Sequence, residues 1–117
     1  MRYLSLFTPD PKTMAGMNTP EHRAAMTELV DEMNRAGVLL STGAFLASSL
    51  GARVRASEGR VTVVDAPSPE PDDKMVGFAL LAVSSKAEAI EMAKRFLKVA
   101  GDGECELRPL LDGPPED

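Results

Sequence analysis

The stretch GFALLAV, residues 77–83, decides the fold because it is apolar at every position. Alternate side chains of a β-strand point to opposite faces of its sheet, so Phe78 and Leu80 share one face while Leu81 and Val83 share the other. A strand with one wet face alternates apolar and polar residues instead. This run therefore predicts a strand that is covered on both faces.

Two helices are predicted from their capping residues. Ser85-Lys86-Ala87-Glu88 has the spacing of a capping box, and the helix that follows carries an apolar stripe up to Ala100 and ends at Gly101. Thr19-Pro20 is a second start, with Thr19 as the N-cap and proline at the first helical position. Gly37 closes that helix.

The remaining predicted strands are short, and in the sequence they come before, between and after the two helices. Strand character is found at residues 2–7, 38–45, 52–56, 60–65 and 105–110, and residues 12–18 are expected to form a loop. Ser57-Glu58-Gly59 is a hairpin turn between the third and fourth of these segments. The order β-α-β-hairpin-β-α-β predicts an α+β fold, with an antiparallel sheet and both helices on one face.

Two helices can cover only one face of such a sheet, which leaves the other apolar face bare. Because large uncovered apolar faces are rare in soluble proteins, we expect a partner there. A twofold homodimer through the uncovered sheet face is the commonest solution. The alternative is that the hairpin, or the proline-rich loop after it, folds over this face.

The 117 residues fit one domain, expected over residues 1–111 with a flexible tail at 112–117.

Charge and composition exclude several classes of function. With 13 Lys and Arg against 18 Asp and Glu, the chain has a net charge of −5 and no basic stripe for nucleic acid. A single cysteine, Cys105, cannot form an internal disulfide, which favours a reducing compartment. We find no signal peptide and no apolar stretch of the roughly 20 residues that cross a bilayer. A soluble, cytoplasmic protein without a membrane partner is expected.

Asp65 and His22 are the candidate catalytic residues. Asp65 ends a strand, where its carboxylate is either a turn acceptor ahead of Pro67 or a general base. His22 is the only histidine and lies in the first turn of the first helix. It is either an exposed residue with local hydrogen bonds or a proton carrier near pH 7 that an acid such as Asp65 orients. Both alternatives stay open for each residue.

No cofactor and no metal site are predicted. One histidine and one cysteine without clustered spacing give no zinc site, and Cys105 is expected to be a buried, inert thiol. The acids Glu70, Asp72 and Asp73 lack the spacing and the glycine of a calcium loop, so they are expected to be solvated charges. The sequence contains no glycine-rich loop of the kind that holds phosphate.

Several motifs, taken in order, make the chain resemble a known family. After the opening MRYLSLF they are Ala36-Gly37-Val38-Leu39-Leu40, Gly77-Phe78, Ala93-Lys94-Arg95-Phe96, and Gly103-Glu104-Cys105-Glu106 leading to Arg108-Pro109-Leu110. This order and spacing resembles the YCII-related family, in its DGPF branch, over about residues 1–111. Where that branch has Asp-Gly-Pro-Phe, this chain has Asp65-Ala66-Pro67-Ser68.

The resemblance implies a ferredoxin-like α+β fold of the dimeric α/β-barrel type, with two helices on one face of an antiparallel sheet and an inserted β-hairpin. It also implies substrate-binding residues: Glu70 and Lys74 correspond to the usual Glu and Lys of the loop, and Gly77 and Phe78 to the strand start after it. A glycine in the motif permits a positive φ, so either Ala66 is strained or the turn differs.

The function implied by the resemblance is open between two classes. Most members have no established activity, while related members include a dehydrochlorinase acting on a chlorinated hydroxyhydroquinone, and a role for His and Asp has been proposed in the wider family. We therefore expect a cofactor-free enzyme of lyase or hydrolytic type, acting on a small organic molecule in a pocket between sheet and helices. The alternative is a non-catalytic domain that binds a small molecule, or a dimeric interaction or accessory domain linked to sigma-factor regulation.

Overall fold

The computed structural model describes residues 1–66 and 76–111. The strands are β1 (Arg2–Pro9), β2 (Leu39–Phe45), β3 (Ala52–Ser57), β4 (Arg60–Asp65), β5 (Val76–Ala82) and β6 (Gly103–Pro109). The helices are α1 (Pro11–Gly16), α2 (Pro20–Arg35) and α3 (Lys86–Ala100), with one 3-10 turn at Ser48–Leu50. The tail predicted at residues 112–117 lies outside the described residues.

Among these elements, four strands form an open antiparallel sheet in the order β2-β5-β1-β6. The two halves, β1-α2-β2 and β5-α3-β6, interleave so that β5 lies between β1 and β2. This is the ferredoxin-like arrangement, with the hairpin β3-β4 inserted between the halves as a separate two-stranded sheet. The predicted ferredoxin-like α+β fold is confirmed. The sheet does not close into a barrel, because β2 and β6 are its edges.

The core lies between the helices α2 and α3 and one face of the sheet. Residues of β1 alternate between buried and half-buried, with the buried set facing the helices. Phe7 of β1 packs edge-on against Phe96 of α3, with ring centroids 4.9 Å apart. The buried members of the main cluster are Tyr3, Leu29, Met33, Leu39, Leu81, Val83 and Ala89.

The opposite face is apolar along the two central strands. Leu4 of β1 pairs with Leu80 of β5, and Leu6 pairs with Phe78. We call these four residues the outer patch. The hairpin does not cover it, because residues 52–65 are all exposed along both hairpin strands. The expectation that the hairpin covers this face in place of a partner is therefore wrong. The other possible cover, the proline-rich loop, lies outside the described residues.

Both long helices begin at their predicted caps. Thr19 Oγ1 accepts a hydrogen bond from the His22 N–H at 3.2 Å, and Ser85 Oγ accepts one from the Glu88 N–H at 3.1 Å. The other half of the second capping box differs from the prediction. The Glu88 carboxylate accepts from Ser84, whose hydroxyl lies 2.6 Å away, and so reaches one residue further back than expected.

The loop predicted at residues 12–18 is wrong in its first part, because α1 occupies residues 11–16. Asp10-Pro11 repeats the pattern of Thr19-Pro20, in which proline fits the first helical position. The carbonyl of Asp10 accepts from the Met14 N–H at 2.9 Å and closes the first turn. The same residues therefore end a strand and begin a helix.

Strand β6 begins at Gly103, two residues before the predicted start at 105, because the chain there passes very close to β1. A Cβ atom on Gly103 would lie 2.6 Å from the carbonyl oxygen of Thr8 and 2.9 Å from the Cα of Pro9. Both neighbours are backbone atoms, so neither can rotate away. We predict that Gly103→Ala lowers the free energy of unfolding by about 1–3 kcal/mol through overpacking.

Urea denaturation at one fixed protein concentration checks this prediction. Gly16→Ala is the matched control, because a Cβ there would meet no atom within 4 Å. An equal loss of stability in both variants would contradict the explanation by close approach.

The base of the hairpin contains a strained backbone. Ala66, which stands where the resembled motif has glycine, has a φ of 49°, and its N–H donates to the Gly51 carbonyl at 2.8 Å. The left-handed conformation costs an L-residue about 1–2 kcal/mol. We predict that Ala66→Gly raises the free energy of unfolding by up to about 1 kcal/mol, since relief of strain exceeds the entropy that glycine adds to the unfolded chain.

Urea denaturation also measures this change. Ala56→Gly, in the extended backbone of β3, provides the opposite control and should lose about 0.5–1 kcal/mol. A loss of stability in the variant at residue 66 would show that the positive φ carries no strain.

Candidate functional site

A row of small side chains leaves space between the sheet and the helices. Ser5 of β1, Ala79 of β5 and Thr42 of β2 lie side by side across three strands on the helix-facing side. The next row along the strands contains Gly77 and Ala44 beside Phe7. Because these residues do not reach the helices, the layer between sheet and helices is not filled.

The resulting cavity has a volume of approximately 180 Å³. Its walls come from the strands below and from α2 and α3 above, with Met17 at the end of α1. A pocket between sheet and helices was expected at this place. The lining residues are Ser5, Phe7, Met17, Met26, Leu29, Val30, Met33, Leu39, Thr42, Gly43, Ala44, Gly77, Phe78, Ala79, Leu81, Met92, Ala93 and Phe96.

The described lining of the cavity contains no ionisable side chain, and its polar side chains are Ser5 and Thr42. The Thr42 hydroxyl donates a hydrogen bond to the carbonyl oxygen of Phe78, and the two oxygen atoms are 2.8 Å apart. The buried Ser5 side chain is hydrogen-bonded to that of Cys105. The cavity therefore suits an apolar molecule with few polar atoms, because a buried charge would find no countercharge in this lining.

Four methionines contribute to this lining, at positions 17, 26, 33 and 92. The thioether side chain is unbranched and flexible, so it adapts to ligands of different outline. In the sequence, Met26, Met33 and Met92 have only the helical spacing of core residues. That pattern does not distinguish a filled core from a cavity wall.

Gly77 and Phe78, both predicted to bind substrate, line the cavity. The Phe78 ring extends over β2, where a Cβ on Gly43 would lie 2.7 Å from its edge. It stacks on Phe45, with ring centroids 5.3 Å apart. Both rings lie on the face of the sheet opposite α2 and α3, where Phe78 belongs to the outer patch. The other two predicted binding residues, Glu70 and Lys74, lie outside the described residues.

His22 lies in the first turn of α2 and is half-buried. Its Nε2 atom lies 2.9 Å from the carbonyl oxygen of Ala100, the last residue of α3. Because a carbonyl only accepts, Nε2 carries the proton and satisfies one of the carbonyls that a helix end leaves unpaired. The ring joins the start of one helix to the end of another, a contact that neither sequence-based alternative anticipated. It does not line the cavity.

Asp65 is exposed and ends β4, opposite Ala52 of β3. It is not among the residues that line the cavity. The structure thus brings Gly77 and Phe78 to the cavity and places His22 and Asp65 elsewhere. The catalytic role of His22 and Asp65 stays a prediction.

Cys105 faces the helices from β6 and is half-buried. Burial raises the pKa of its thiol, and the hydrogen bond to the Ser5 side chain opposes this in part. The group is therefore a protonated thiol near neutral pH, in agreement with the expected inert cysteine. Within residues 1–66 and 76–111, no three His, Cys, Asp or Glu side chains cluster so that they could hold a metal ion. No helix in the same ranges is long and apolar enough to span a membrane.

Fold and site together define a ferredoxin-like α+β protein with an apolar cavity between its sheet and its helices. The chain belongs to the YCII-related domain family, whose model matches residues 1–112. That match agrees with the resemblance seen in the sequence; the assignment to the DGPF branch stays a prediction.

The chain was also compared with curated proteins and with solved structures. No curated protein matches the sequence significantly. Among solved structures, the chain is similar to the divalent cation tolerance protein (Cut A1) from Thermus thermophilus, at 12% identity, a TM-score of 0.45, and coverage of 97% of this chain and 88% of the other. A similarity of this size says nothing about the ligand or the assembly of this chain.

Proposed function

We propose that this protein is a small-molecule-binding member of the YCII-related family, and that its ligand is neutral and largely apolar. The observation that carries the proposal is the cavity of approximately 180 Å³ with no ionisable group in its described lining. A cavity of about 150 Å³ with a similar apolar lining binds benzene in another protein. The ligand class is therefore an uncharged molecule about as large as one substituted aromatic ring.

A matched pair of probes tests this proposal. Benzyl alcohol and benzoate share one ring and differ in charge at pH 7. We predict that benzyl alcohol shifts the amide NMR signals of Ser5, Gly77 and Ala79, and that benzoate binds at least about tenfold more weakly because its carboxylate would be buried without a partner.

A substitution that fills the cavity provides the control for location. Ala79→Leu places a larger side chain into the row of small residues and should abolish the shifts. Ala25→Leu, on the exposed side of α2, should leave them unchanged. Tighter binding of benzoate, or shifts that persist in the Ala79→Leu variant, would contradict the proposal.

The enzymatic hypothesis is the second candidate, and one observation favours it. Since Nε2 of His22 donates to Ala100, Nδ1 is left as a proton acceptor. The hypothesis predicts that His22→Gln and Asp65→Asn fold normally but lose turnover of a small organic substrate. Glutamine can still donate to the Ala100 carbonyl, so loss of activity would report on proton transfer rather than on the helix contact. Turnover unchanged in both variants would exclude these residues as catalysts.

We also propose that the protein is a homodimer through the outer patch. Leu4, Leu6, Phe78 and Leu80 form a continuous apolar surface on the face opposite α2 and α3. Paired twofold, two such faces would bury each other in the way that sheets pack in sandwiches. Such a pairing would also supply the two-copy barrel that the resemblance implies. Analytical ultracentrifugation over a series of concentrations measures the oligomeric state, and a monomer throughout would contradict the proposal.

A further inference from the structure

The hairpin β3-β4, which we call the arm, is amphipathic. Val54 pairs with Val63 and Ala56 pairs with Val61, which gives one mainly apolar side, the valine face, with the pair Ala52 and Asp65 at its base. The other side carries the pairs Arg53 with Val64 and Arg55 with Thr62. Alternation of this kind is typical of a hairpin with one wet face and one covered face.

The valine face has no cover in the described part of the chain. Val54, Val61 and Val63 are all more than 60% exposed, and β3 and β4 pair only with each other there. An isolated two-stranded hairpin is marginally stable in water and needs packing against its apolar face.

We propose that the valine face of the arm packs on a second copy of this chain and extends the dimer interface. This inference rests on the homodimer proposed above. It is favoured first by continuity of the apolar surface. Phe45 stacks on Phe78 of the outer patch, and Leu46 and Leu50, which follow Phe45 toward the arm, are 68% and 74% exposed.

The size of the two surfaces gives the second reason. A strand of six residues is about 20 Å long and two strands are about 10 Å wide, so the valine face covers roughly 200 Å². The outer face of β2, β5 and β1, without the wet strand β6, covers roughly 300 Å² by the same spacings. A stable interface buries about 800 Å² per partner, so neither surface suffices alone, while the two together supply more than half of that area. Two arms packed only on each other would fall far short.

Neighbouring valines on opposite sides of the arm allow a sharp test. Val63 lies on the valine face and Val64 on the wet face beside Arg53, and their exposures are similar at 62% and 53%. Analytical ultracentrifugation over a series of concentrations is carried out on the unsubstituted protein, Val63→Glu and Val64→Glu. We predict a dimer for the unsubstituted protein, a dimer dissociation constant at least about tenfold higher for Val63→Glu, and little change for Val64→Glu.

The outcomes distinguish failure of the homodimer from failure of the arm inference alone. A monomer at all concentrations would overturn the homodimer and the arm inference together. A dimer that both variants keep, or that both variants lose equally, would overturn the arm inference and leave the homodimer through the outer patch standing. Circular dichroism confirms folding, which neither exposed position should affect in the single chain.

A second experiment identifies which residues contact the valine face. Isotope-filtered NMR on a mixture of labelled and unlabelled protein detects only contacts between copies. We expect contacts from the Val63 methyl groups to methyl groups of the other copy. Contacts from Val63 to residues 67–75 of its own chain, with none between copies, would show that the loop covers the arm and would overturn the inference.

Discussion

The position of β1 at the centre of the sheet is the constraint on which the rest of the structure depends. This strand is hydrogen-bonded on one side to β5 and on the other to β6, so it joins the two halves of the chain. Its alternating side chains send Tyr3 and Phe7 toward the helices and Leu4 and Leu6 away from them. Because α2 and α3 both pack on the first side, every apolar residue on the second side needs a different cover.

Much of the fold could be predicted because its signals are local. Thr19 and Ser85 mark their helices by side-chain chemistry that acts within one turn, and both caps are present in the structure. Helix α1 was missed because Asp10-Pro11 is equally typical of a turn. The early start of β6 was missed for another reason. It depends on the approach of Gly103 to the backbone of β1, almost a hundred residues away in the sequence, which no local pattern encodes.

The candidate site was harder to predict because it depends on strand register. Ser5, Thr42 and Ala79 come from three strands that are far apart in the sequence, and each alone is an ordinary small residue. The register of β2 also shifts by an irregularity between Leu39 and Ser41. Without the extra residue, Thr42 would point to the opposite face of the sheet and the row of small residues would be interrupted. Family resemblance supplied Gly77 and Phe78 but gave no information about this row.

The all-apolar sequence of β5 is explained only when both of its faces are covered. Its inward side, with Ala79 and Leu81, meets the helices and the cavity, and these account for half of the pattern. The edge strand β6 has a different sequence, in which exposed Glu104 and Glu106 alternate with half-buried residues, as expected for a wet outer face. The apolar outer surface therefore ends at β6 and is centred on β1 and β5. If the outer face of β5 were in water, charged residues would be expected to alternate along β5 as they do along β6. Strand β5 has no such residues, which favours a partner that covers the central strands and leaves β6 in solvent.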